Sequence, residues 1–87
     1  MSNIEMAAAE NQLMGSVNAD ALFELGLRYC LGREVPKNLI SAHKWFNIAA
    51  LRGNDAAKQY RLEIAREMKA GDVAEAQRQA RAWLQAL

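Results

Sequence analysis

The stretch ALFELGLRYCLGREVPKNLISAHKWFNIAALRG, residues 21–53, decides the fold. Small residues recur in it at helical spacing: Ala21, Gly26, Ala42, Ala49 and Ala50. Larger apolar residues sit between them, with Leu25, Tyr29 and Trp45 the most prominent. Gly32 and Pro36 interrupt the pattern once, and Gly53 closes it. Small residues let two helices approach, and aromatic rings fill the space between them. The pattern therefore predicts two short helices packed as an antiparallel hairpin. It is a pattern of packing, and it contains no arrangement that bond chemistry needs.

Working outward, the pattern predicts five helices in a single all-α domain, residues 1–87. A first helix is expected over about 3–14, where Ile4, Ala7, Ala8, Asn11 and Met14 share a side with Leu13 beside them. Asn18 is placed to cap a second helix that runs to about Leu31. Its inward stripe is Ala21, Leu22, Leu25, Gly26 and Tyr29. Gly32 supplies a left-handed C-cap, and Val35 is held extended by the following proline. Asn38 caps the third helix, to about Arg52. Asn54 caps a fourth, about 55–69, with Ala56, Ala57, Tyr60, Ile64 and Met68 inward. Ala70-Gly71 reads as the break before the last helix, with Asp72 and Glu75 spaced as a capping box. Val73, Ala76, Ala80, Trp83, Leu84 and Leu87 form its expected inner face.

Composition agrees. Hydrophobic residues make up 52% of the 87, alanine is prominent among them, and helix formers dominate over β-branched residues. Cys30 is the single cysteine, so no intrachain disulfide supports this small domain, and a reducing compartment is the simplest setting. The formal net charge of +1 gives no general attraction to nucleic acid or to an anionic membrane. The N-terminus lacks the basic and apolar regions of a secretory signal, and no run is long enough to span a membrane. A cytoplasmic location is expected.

Catalysis and metal binding find little support. His43 is the single histidine, and with Cys30 it falls short of the four ligands a structural zinc site uses. His43 is placed near the wet side of its helix. Cys30 lies among apolar neighbours, which favours inert packing over nucleophilic use. No phosphate-binding glycine loop or nucleophile elbow is present. The expectation is a non-enzymatic protein without cofactor or metal.

The residues Ala21-x3-Leu25-Gly26-x2-Tyr29-x2-Gly32, Val35-Pro36-Lys37-Asn38, Ala42, Trp45, Ala49-Ala50 and Gly53 resemble the Sel1-like repeat, a relative of the tetratricopeptide repeat. The usual Gly-x-Gly-Val loop reads Gly32-Arg33-Glu34-Val35 here, so the second glycine is missing and a different loop conformation is expected. Asn38 stands where the family has an acidic residue. Ala57-x3-Arg61, Met68 and Ala74-Glu75-Ala76-Gln77-x2-Ala80-Arg81-x-Trp83 resemble the module that closes such arrays in bacterial proteins. The resemblance implies a repeat over 18–53 with capping helices on either side, 3–14 and 54–87. It also implies a scaffold or adaptor that binds a protein or peptide, with the first helix of the pair lining the concave surface.

Phe23, Leu27 and Cys30 form a second apolar strip on that helix, with Arg28 nearby. The strip reads either as a groove for a partner or as a surface that the first helix covers through Ile4, Ala8 and Leu13. The second reading is the simpler one, because a small domain leaves little apolar surface bare. With one repeat and imperfect caps, a homodimer is the alternative assembly.

Overall fold

A computed structural model describes residues 18–87 of the chain. The described residues form four helices: α1 (Ala19–Leu31), α2 (Leu39–Leu51), α3 (Asp55–Ala65) and α4 (Ala70–Gln85). There is no strand among the described residues. The helix expected over 3–14 lies outside them, as does any cover it would give the Phe23 strip.

Three asparagines start three of the helices by one mechanism. The Asn18 side chain accepts from the Ala21 N–H at 3.1 Å, Asn38 from Ser41 at 3.0 Å, and Asn54 from Ala57 at 2.7 Å. Each satisfies a backbone donor that the first helical turn leaves without a partner, a contribution of about 1 kcal/mol. Gly32 ends α1 in the left-handed region at φ 70°, where its N–H donates to the Arg28 carbonyl.

Glu34, in the place of the missing glycine, also adopts a left-handed φ of 65°. A residue with a β-carbon thus holds a backbone conformation that glycine adopts most readily. The turn is held from outside: the Asn38 N–H donates to the Tyr29 carbonyl at 2.9 Å, and the Arg28 guanidinium lies 3.8 Å from the Glu34 carboxylate. That exposed ion pair contributes little, so the strained residue is a net cost.

α2 is the hub. α1, α3 and α4 all pack on it, and α3 and α4 meet each other far less closely. Ala42, Trp45, Phe46, Ile48 and Ala49 are buried around much of its circumference, as a helix enclosed by neighbours requires. Against α1 the contact is tightest at Gly26. A β-carbon there would lie 2.5 Å from Phe46 Cδ1, well inside van der Waals contact. Against α4 the contact is Trp45 on Trp83, edge to face at 5.4 Å between centroids, a favoured geometry for aromatic pairs.

Several sequence expectations are corrected at the C-terminal end and on α1. α3 stops at Ala65, not near Lys69, and the break falls at residues 66–69. Ala70 and Gly71 belong to the first turn of α4, and Gly71 takes no positive φ. The Asp72 and Val73 N–H groups bond the Lys69 carbonyl at 3.0 and 3.1 Å. Asp72 is therefore inside the helix and forms no capping box. Glu75 instead binds Arg78 and Gln79, one turn on. Leu87 lies past the end of α4 and is exposed. Ala21, Ala56 and Tyr60, all expected inward, are exposed as well, because the helices bury a narrower stripe than the periodicity suggests.

Two stability changes are expected. Gly26→Ala forces Phe46 to move, and overpacking of this kind costs about 1–3 kcal/mol, more than the helix propensity gained. Urea denaturation should show the loss, and it should be smaller when Phe46→Leu has already made room. Glu34→Gly should raise stability by about 0.5–1 kcal/mol by relieving the left-handed strain. A midpoint unchanged or lowered in that variant would mean that Glu34 is not strained.

Candidate functional site

The Phe23 strip is held between two helices, α1 and α3. α1 and α3 run side by side in the same direction. Near their N-terminal ends the Asn54 amide donates to the Asp20 carboxylate at 2.9 Å. At mid-length Phe23 meets Tyr60, edge to face, at 5.3 Å. At the far end the charge of Glu67, in the turn after α3, reaches Cys30 of α1.

Both helices lean on Phe46 of α2. Its ring lies 5.7 Å from Phe23 and 5.5 Å from Tyr60. Phe46 is fully buried, whereas Tyr60 is 40% exposed. Three rings therefore make a floor whose outer edge is open to solvent. Leu27, one turn beyond Phe23, is half-buried against the same core. Leu31, one further turn along, is 55% exposed.

The structure thus brings Phe23, Leu27 and Cys30 together on one side of α1, all half-buried. Arg28 points away from them toward Glu34 and is exposed. Tyr60 and Leu31 complete the surface, and residue-by-residue reading missed both. The spacing of Tyr60 matches that of the buried Ala57 and Ile64 and so reads as interior. The aromatic partner that draws it to the edge is 37 residues away in sequence.

Of the repeat-signature residues, Gly26, Ala42, Trp45 and Ala49 are buried, and Leu25, Tyr29 and Ala50 are half-buried. Ala21 is exposed. Gly32 and Gly53 take positive φ values of 70° and 106°, which is their reason for being glycine.

Burial pushes the Cys30 thiol up from its ordinary pKa, with Lys37 opposing and Glu67 adding to the rise. At neutral pH it is held as a thiol, which is a poor nucleophile. Among the described residues no group of three or more His, Cys, Asp or Glu could hold a metal ion. No helix among them is long and apolar enough to cross a membrane.

His43 lies in the interior. It is 2% exposed, not on the wet side of its helix. α3 lies over this part of α2, where the Arg61 guanidinium is fixed by Asn47 Oδ1 at 2.6 Å. The buried Nδ1 of His43 has no hydrogen-bond partner among the described residues. Burial first, and the Arg61 charge second, lower the His43 pKa from its ordinary 6.5. No sequence signal marks this, since the position of α3 decides it.

Comparison with known proteins adds one finding. Residues 19–54 match the family model described as the Sel1 repeat. No curated protein and no solved structure matches the chain.

The histidine yields a pH dependence. Folded, His43 takes up a proton less readily than it does unfolded; unfolded, it binds one below about pH 6.5. The unfolded state then holds more protons, so stability is highest above 6.5 and falls as pH drops toward the folded-state pKa. Urea midpoints at pH 7.5, 6.5 and 5.5 should decline, and His43→Gln should flatten the decline. An equal decline in that variant would assign the effect to other groups.

Proposed function

We propose that this chain, a Sel1-like repeat protein whose repeat spans residues 19–54, docks a segment of another protein on the face shared by α1 and α3. Sel1 repeats are generally protein–protein interaction modules. What supports this face as the docking surface is the aromatic floor. Phe23, Phe46 and Tyr60 are locked together by packing, so a partner meets a preformed surface and little ordering is required on binding. Leu27 and Leu31 extend the floor by two helical turns along α1. Rigid apolar anchors of this type carry most of the energy at interfaces.

No residue in this reading performs bond chemistry, and no cofactor is required. The repeat signature is structural: Gly26, Trp45 and Ala49 set the helix spacing, and the docking face is a consequence of that spacing. A second reading is two-fold pairing of the chain through the end of α4, favoured by the 55% exposure of Leu87. Sedimentation across a concentration series separates the two; a species that stays monomeric at high concentration excludes the pairing.

The docking face is tested by a photo-crosslinking residue placed at position 31, with position 58 as the comparison. Both are exposed, and Lys58 lies on the opposite side of α3 from Tyr60. In host cells, adducts should form at position 31 and not at 58, and Leu31→Asp or Leu27→Asp should reduce capture about tenfold or more with the helical circular dichroism unchanged. Equal adducts from both positions would sink the reading. Unfolding of Leu27→Asp would assign that residue to the core and leave Leu31→Asp as the deciding variant.

A further inference from the structure

On α1, Phe23, Leu27 and Leu31 follow one another at intervals of four residues and so share a side of the helix. Tyr60 packs on Phe23 from α3, and Glu63 and Glu67 continue its row. Leu31 and Tyr60 are both exposed, so this apolar strip is open along its length. The neighbouring side of α1 carries Ala21, Glu24 and Arg28, all exposed, and offers no comparable apolar row. The rim of the strip is of mixed charge: Asp20, Glu24, Glu63 and Glu67 stand beside Arg28, Lys37 and Arg66, all of them exposed. Charge therefore does not choose the occupant. Connection and side-chain size do.

The chain itself supplies a segment that meets both conditions. Residues 1–17 lead directly into Asn18, the cap of α1. A helix over 3–14 is about 18 Å long, and the run from Asn18 to Leu31 is about 20 Å. Gly15, Ser16 and Val17 leave a connection of the length that joins antiparallel neighbouring helices. Folded back from that turn, Met14 stands level with the first turn of α1. Ala7 and Ala8 then stand level with the run from Phe23 to Leu27, and Ile4 with the run from Leu27 to Leu31. Ile4, Ala7, Ala8 and Met14 share one side of such a helix. The small alanines meet the large Phe23 and Leu27, and Ile4 arrives beside the exposed Leu31, as interdigitating layers require. Glu5 and Glu10 fall at the edges of that side, over the mixed rim, with Glu5 level with Arg28.

We infer that residues 3–14 fold back as an antiparallel helix over Phe23, Leu27, Leu31 and Tyr60, so that the chain occupies its own docking face and a partner must displace it. A short connection holds the segment at an effective concentration on the order of millimolar, so even a weak contact keeps the face covered. A partner's apparent affinity then falls by the fraction of molecules that are open, about tenfold where one in ten is open. The displacement rests on the docking face proposed above; the cover does not.

The test places a photo-crosslinking residue at position 31, 63 or 58 of the full chain, all exposed, and maps the adducts by mass spectrometry at low micromolar concentration. Positions 31 and 63 should join residues 3–14 at the mass of one chain, and position 58 should not. Ile4→Asp together with Ala8→Asp changes no described residue. That pair should cut these adducts about tenfold and, in host cells, raise the adducts of position 31 to other proteins severalfold. No adduct to residues 3–14 at the single-chain mass, or equal adducts from position 58, would overturn the inference. Adducts at twice that mass would give the face to a second copy and overturn it as well. Host-cell adducts unchanged by the paired substitution would overturn the displacement. Single-chain adducts as expected, with no protein captured by either form, would sink the docking reading and leave the cover standing.

Discussion

The contact on which the rest of this domain depends is the one between Gly26 and the ring of Phe46. With no β-carbon on Gly26, the Phe46 ring approaches the backbone of α1 more closely than any side chain there would permit. That position puts its other edge within reach of Phe23 and Tyr60. The aromatic trio, the parallel course of α1 and α3, and the open strip between them all follow from one absent methyl group. Close packing leaves no slack here: interiors are as dense as organic crystals, so one misplaced carbon is felt across several residues.

Local features of the fold were legible in the sequence because they are set by near neighbours. An asparagine bonding the N–H three residues on needs nothing from elsewhere in the chain, and all three caps stand where the residue order places them. Gly32 and Gly53 end their helices for equally local reasons. What was not legible depends on where distant segments land. His43 reads as a surface residue on its own helix and becomes buried when α3 lies over it. Tyr60 matches the interior spacing and is drawn to the edge by Phe23. The break between α3 and α4 turned on a competition between two candidate starts, and the Lys69 carbonyl prevailed over the Asp72 side chain.

Function followed the same division. The repeat over residues 19–54 was legible from Leu25-Gly26-x2-Tyr29 and its continuation, since those residues build the scaffold. The surface that scaffold presents was only half legible. Phe23 and Leu27 stood out as surplus apolar positions on α1, but their partner row on α3 comes into view only once the two helices are set beside each other.

In a linear array of repeats, each unit touches its neighbours alone and an end can fray without disturbing the middle. The hub position of α2 gives this domain a different character. α1, α3 and α4 each lose their main contact if α2 leaves, and α2 loses burial if any of them does. Among the described residues, hydrogen exchange should find the most slowly opening amides in α2. Shared dependence on α2 couples the described helices, so a ligand held by α1 and α3 should slow the opening of α4, which it would not touch.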